Sequence, residues 1–174
     1  MKIIILFTSI LFSLSAHCQI NSKCDEIIET KTYSGGVVMS SPKEKIKINK
    51  GGEKGLEVMI VKGEESLILN FSAYGDITCI GSNSFMNIEF TDGSKLKLDN
   101  MGGMNCKGNF SYFMGGVIGK EDVLKQLKSK SLKKIAIEYS EVKNEDLHTF
   151  MEETTFTKEQ GQKIMALINC LSVM

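Results

Sequence analysis

Cysteine is the residue whose type and spacing promise the most chemistry in this chain. Five occur, at positions 18, 24, 79, 106 and 170. If Cys18 leaves with an export signal, the other four make an even set in an oxidising compartment, and two disulfides are their natural use. Four cysteines allow three connectivities, and sequence alone does not choose among them. Position is the remaining guide. Cys24 and Cys170 lie near the two ends while Cys79 and Cys106 bracket one central stretch, so Cys79 with Cys106 and Cys24 with Cys170 are the expected pairs. Oxidised in this way, no thiol is left for a Cys-His nucleophile. Zinc is disfavoured as well, because the cysteines lack close paired spacing and histidine partners are missing. His148 is the one histidine beyond the signal, and alone in a strand-like context it reads as a surface residue. No catalytic residue is assigned.

Methionine offers a weaker possibility. Met101-Gly-Gly-Met104 precedes Cys106, and Met114 follows on the next strand, a soft-sulfur set of the kind that selects Cu(I). Against it, methionine is the usual filler of irregular core gaps, and the glycines shape a loop. The expectation is therefore no metal and no cofactor, with a periplasmic Cu(I)-handling site at Met101, Met104 and Met114, or a small hydrolase, as the alternative. The run GGVIGKED imitates a phosphate loop and fails: Met114 stands where the first glycine belongs, and Glu121 replaces the hydroxyl that would hold magnesium. Asp76, Asp92, Asp99 and Glu121 do not form the alternating Asp/Asn run of a calcium loop.

Composition narrows the partners. All basic residues are lysine, and without one arginine the chain lacks the planar fork that dominates phosphate and base-edge recognition, so nucleic acid is excluded as an expected partner. Trp is absent, which weakens any stacking platform for sugars or single strands. Lysines and acids nearly balance and interleave, so no electrostatic partner is implied.

Lys2, the apolar run Ile3 to Leu14 and the small residues beyond it fit an export signal. Cleavage after Cys18 puts Ala16 and Cys18 at the two positions that must be small. The rival, a lipid anchor on Cys18, is disfavoured because His17 precedes the cysteine where a small residue is wanted. The reading is a signal peptide over 1–18 and one β-rich secreted domain over 19–174, secreted or periplasmic. A chain of that length buries roughly two-thirds of its unfolded surface, enough for one core. No later apolar run reaches membrane-spanning length, so no membrane span is expected.

The elements that must position these residues follow from periodicity. Ile46 and Ile48, then Leu56, Val58 and Ile60, then Leu67, Leu69 and Phe71 alternate as strands of a meander, with Pro42, Gly51-Gly52 and Lys62-Gly63 as turns. Met86, Ile88 and Phe90 alternate on one side of Asp92-Gly93, and Leu96 and Leu98 on the other. A three-residue Thr91-Asp92-Gly93 loop sets Ile88 opposite Leu96 and Met86 opposite Leu98, with Gly93 left-handed; a two-residue loop would split the apolar residues between faces. Phe110, Tyr112 and Met114 make a further strand, Val123, Leu124 and Leu127 a short helix, and Ile135, Ile137 and Tyr139 a strand that pairs with Leu147 to Met151. Thr157 and Gln160 have capping-box spacing ahead of a helix with Ile164, Leu167, Ile168 and Leu171 on one face. The class is α+β: an antiparallel meander or sandwich with one short helix and a C-terminal helix packed on it.

The cysteine soon after the signal, EFTDGSKLKL, EDVLKQLKSKSLKKIAIEY and the ending FTKEQGQKIMALINCL resemble small uncharacterised secreted proteins of Bacteroides-like bacteria. The resemblance covers most of the chain beyond the signal. It implies an exported β-rich protein, adds weight to pairing Cys24 with Cys170, and implies no activity. Residues and resemblance together favour a non-enzymatic exported domain that binds a protein or cell-envelope component through a strand edge or loop.

Overall fold

The computed structural model describes residues 24–31, 36–47, 53–64, 66–75, 79–115, 120–143 and 146–174. The segment 1–18 with Cys18, and Ile48, Gly51, Gly52, Asp76, Ile77, Gly116 and Gly119, lie outside these residues.

Among the described residues, ten strands and two helices follow in the order β1 (Ile28–Lys31), β2 (Val37–Ser40), β3 (Glu44–Lys47), β4 (Gly55–Lys62), β5 (Leu67–Tyr74), β6 (Phe85–Phe90), β7 (Lys95–Asp99), β8 (Asn109–Met114), α1 (Glu121–Ser129), β9 (Leu132–Lys143), β10 (Asp146–Thr155) and α2 (Lys158–Val173). They form two antiparallel sheets. The first runs β1-β2-β4-β5-β8, with β3 also paired to β4, and the second runs β10-β9-β6-β7. This is the α+β class expected from the periodicity. Alternate residues of both sheets turn inward: Leu56, Val58 and Ile60 on β4, Leu69 and Phe71 on β5, Phe110, Tyr112 and Met114 on β8, Met86, Ile88 and Phe90 on β6, and Ile135, Ile137 and Tyr139 on β9. They belong to one apolar cluster that also takes in Val123 and Leu127 of α1 and Ile164, Leu167, Ile168 and Leu171 of α2. Burying each such side chain contributes about 1.5–3 kcal/mol.

The β6–β7 register is the one the three-residue loop demands, with Met86 opposite Leu98, Ile88 opposite Leu96 and Glu89 opposite Lys95. Gly93 sits at φ 82°, a left-handed conformation that costs glycine nothing. α2 opens on its capping box: the Thr157 hydroxyl accepts from the Gln160 amide at 3.2 Å, and the Gln160 side chain accepts from the Thr157 amide at 2.9 Å. From there α2 packs against β9 of one sheet and β4 of the other.

Two features lie outside the clearly alternating runs. The polar run after Cys24 contains β1, which pairs with β2 from Ile28–Ser40 to Lys31–Val37. The edge formed by β2 and β3 is interrupted by a bulge, because Ser41 faces Ile60 while Glu44 faces Val58, leaving Pro42 and Lys43 against Met59. Ser41 repairs the ladder there. Its amide donates to the Ile60 carbonyl at 2.8 Å, and its hydroxyl accepts from the Ile60 amide at 3.0 Å.

Candidate functional site

Both disulfides form, Cys24 with Cys170 and Cys79 with Cys106. The first fastens the chain around Cys24 to α2, and Lys163 of α2 reinforces the join by bonding Glu26 at 3.0 Å and Glu44 at 2.6 Å. Those two carboxylates hold the Lys163 ammonium above its ordinary range. The second closes a strap between the sheets. Cys79 exchanges backbone bonds of 3.0 and 2.7 Å with Ser140 of β9, and Ile80 exchanges 2.7 and 3.0 Å bonds with Asn105, whose side chain in turn brackets the amide and carbonyl of Asn109 on β8.

The Met101–Cys106 loop is built on asparagines. Asn100, 7% exposed, donates through Nδ2 to the carbonyls of Gly81 and Gly103 and accepts through Oδ1 from the amides of Gly102 and Ser111. Met101 adds a 2.8 Å bond to the Ser111 carbonyl. The structure parts the methionine set. Met114 is wholly buried on the inner face of β8, whereas Met101 and Met104 are exposed, so the three share no surface that a copper ion could reach. With Cys106 oxidised, the loop is an edge cap for β8. Asp92 serves its turn: its carboxylate accepts from the Ser94 hydroxyl and amide and pairs with Lys130 at 3.1 Å, and these partners pull its pKa down to about 2. Among the described residues no group of three or more His, Cys, Asp or Glu is placed to hold a metal ion, and no helix is long and apolar enough to cross a membrane.

A depression of about 490 Å3 lies on the outer face of the second sheet over Asn87 and Ala136. Its rim charges include Lys134 paired with Glu153 at 2.9 Å, and Glu89 nearby is held by Lys133 at 2.6 Å, which lowers the Glu89 pKa. Lys134 and Glu153 satisfy each other there, and Lys95 and Lys97 complete the charged part of the lining.

The sheet edges differ more. Unpaired strand edges attract other chains, and proteins blunt them with loops, lysines, prolines, bulges or short length. Here the outward groups of Asn109 and Ser111 on β8 are covered by Asn105, Asn100 and Met101. The β2–β3 side carries the Pro42 bulge with Lys43, Lys45 and Lys47, and β1 has four residues. On β7 the Phe90 amide bonds the Ser94 carbonyl, so by antiparallel alternation Lys95, Lys97 and Asp99 face the free side, and every one is charged. Edge strand β10 is different. The 2.9 Å bond from the Phe156 amide to the Lys133 carbonyl sets its phase, so the backbone groups of Thr149, Met151, Glu153 and Thr155 point away from β9. No described residue pairs with them. Their side chains are exposed, Met151 at 41%. His148 lies on the same strand with its side chain exposed.

No protein family, curated protein or solved structure matches the chain.

Proposed function

We propose that this protein is a non-enzymatic exported domain that binds an extended segment of a protein or cell-envelope partner by adding it to the second sheet along β10. The observation that carries the reading is the contrast among edges: β10 runs for ten residues without a bulge, proline or lysine and without a cap among the described residues, while the other edges each have such a device or are short. Strand addition draws affinity from main-chain hydrogen bonds and specificity from alternate side chains, so it needs no catalytic constellation and leaves little trace in sequence. Two disulfides and the apolar start support export.

The test uses the full chain in its native envelope with a photo-crosslinking residue at Thr149. Partners should be captured, and Met151→Pro should abolish capture without lowering thermal stability, because it removes an outward amide that the β9 ladder does not use. Capture of nothing, or capture indifferent to Met151→Pro, overturns the reading.

A further inference from the structure

Among the described residues the long edge of β10 is left open while the other edges are capped, bulged, charged or short, and an open edge attracts another chain. Resting on the reading of β10 as the binding edge, we propose that β10 also pairs with β10 of a second copy, antiparallel and centred on Met151, so that an isologous dimer guards the edge until a partner competes for it.

Four observations carry this. The first is geometric. The outward backbone groups belong to odd-numbered residues, and centring the pair on Met151 matches Thr149 with Glu153 of the second copy and Glu153 with Thr149, so the outward groups of both strands find partners across the two-fold axis. The second is electrostatic. In that register no like charges stand directly opposite each other on the exposed face, although the strand holds Glu153 among its outward residues. Like charges directly opposite would destabilise the pair. The third is apolar. Met151, 41% exposed, falls on the axis, where it meets its own copy and covers part of its exposed surface. The fourth is closure. A two-fold contact uses the same patch twice and therefore stops at two copies. The outer strand of each joined sheet would be β7, where Lys95, Lys97 and Asp99 resist further pairing. The product is an eight-stranded sheet with charged ends rather than a fibre. Partner binding then requires the dimer to open, so apparent affinity for the partner falls as the protein's own concentration rises.

The experiment is sedimentation of the purified, oxidised chain across the micromolar to millimolar range, beside Met151→Pro and Met151→Lys. The wild type should show a concentration-dependent dimer. Each substitution should weaken it by at least about tenfold, since two symmetric contacts are lost at once. Met151→Cys should also form an intermolecular disulfide under mild oxidation far faster than Thr155→Cys does, because directly opposed bonded residues lie about 5.5 Å apart, within disulfide reach. A dimer that survives both Met151 substitutions uses another surface and overturns the inference. A wild type that stays monomeric at all concentrations also overturns it. In that case Met151-dependent capture in the envelope would leave the edge-binding reading standing.

Discussion

Tyr139 is 1% exposed, packs against Phe150 with ring centroids 5.9 Å apart, and its hydroxyl meets no hydrogen-bond partner among the described residues. A buried hydroxyl without a partner keeps its desolvation cost and gains nothing in return. Tyr139→Phe removes only that oxygen and should stabilise the fold by about 1 kcal/mol, measured by denaturant unfolding at neutral pH. The pH dependence supplies an independent check. Burial, with a smaller push from Glu152, raises the Tyr139 pKa far above the ordinary phenol value, so the folded state resists ionisation. Stability from a raised group is fully present below the unfolded pKa, near 10 for tyrosine, and is lost as pH rises beyond it. Lys163, raised by Glu44 and Glu26, acts in the same direction. The wild type should therefore lose stability above about pH 10, and Tyr139→Phe should lose less of it while the Lys163 share persists. Equal alkaline slopes in the two proteins would show that Tyr139 ionises freely.

Among the elements, α2 carries the clearest test of packing over propensity. Replacing a helical glycine by alanine normally stabilises a helix by up to about 1 kcal/mol. Gly161 is buried where α2 crosses the start of β9, and a Cβ there would collide with the Leu132 carbonyl. Gly161→Ala should instead destabilise by about 2–3 kcal/mol, read as a shift in the denaturation midpoint, with Gln162→Ala on the exposed side as the neutral control. Elements of this kind were legible wherever the signal is local. Asp92-Gly93 and the alternation around it set the β6–β7 register, and Thr157 with Gln160 marked the start of α2. Features completed by distant partners were not legible. Ser41 accepts from Ile60 across 19 residues, Asn100 joins Gly81 to Ser111, and β1 exists because β2 offers it an edge. A local turn signal was present at Asn100 and Asn105, whose side chains accept from amides two residues on, yet their role as sheet-edge caps depends on β8 lying beside them. The same limit applied to the site. Met101 and Met104 drew attention by residue type, whereas the open edge of β10 is defined by which strands fail to pair with it, and that requires the sheet order.

At the scale of the whole molecule, the two disulfides hold different joints. Cys24–Cys170 spans 146 residues and Cys79–Cys106 spans 27, so loop entropy alone ranks them at about 5 and about 3–4 kcal/mol. The ranking by stability does not describe what each bond does. Cys24–Cys170 acts beside the Lys163 ion pairs at one flank of α2, where those contacts partly duplicate it. Cys79–Cys106 sits in the strap that carries backbone pairing from Ser140 on β9 through Ile80 and Asn105 to Asn109 on β8, and so couples one sheet to the other. Replacing Cys79 and Cys106 by serine should lower the melting temperature and also raise amide exchange locally at Ile80, Asn105, Asn109 and Ser140, while the centres of β5 and β9 stay protected until global unfolding. Replacing Cys24 and Cys170 should lower stability by at least as much, with new exchange confined to β1, β2 and the segment near Glu26. Native-state hydrogen exchange on the two variants separates these patterns. If strap amides stay protected without Cys79–Cys106, hydrogen bonds alone hold the sheets together, and the disulfide acts only on the unfolded chain.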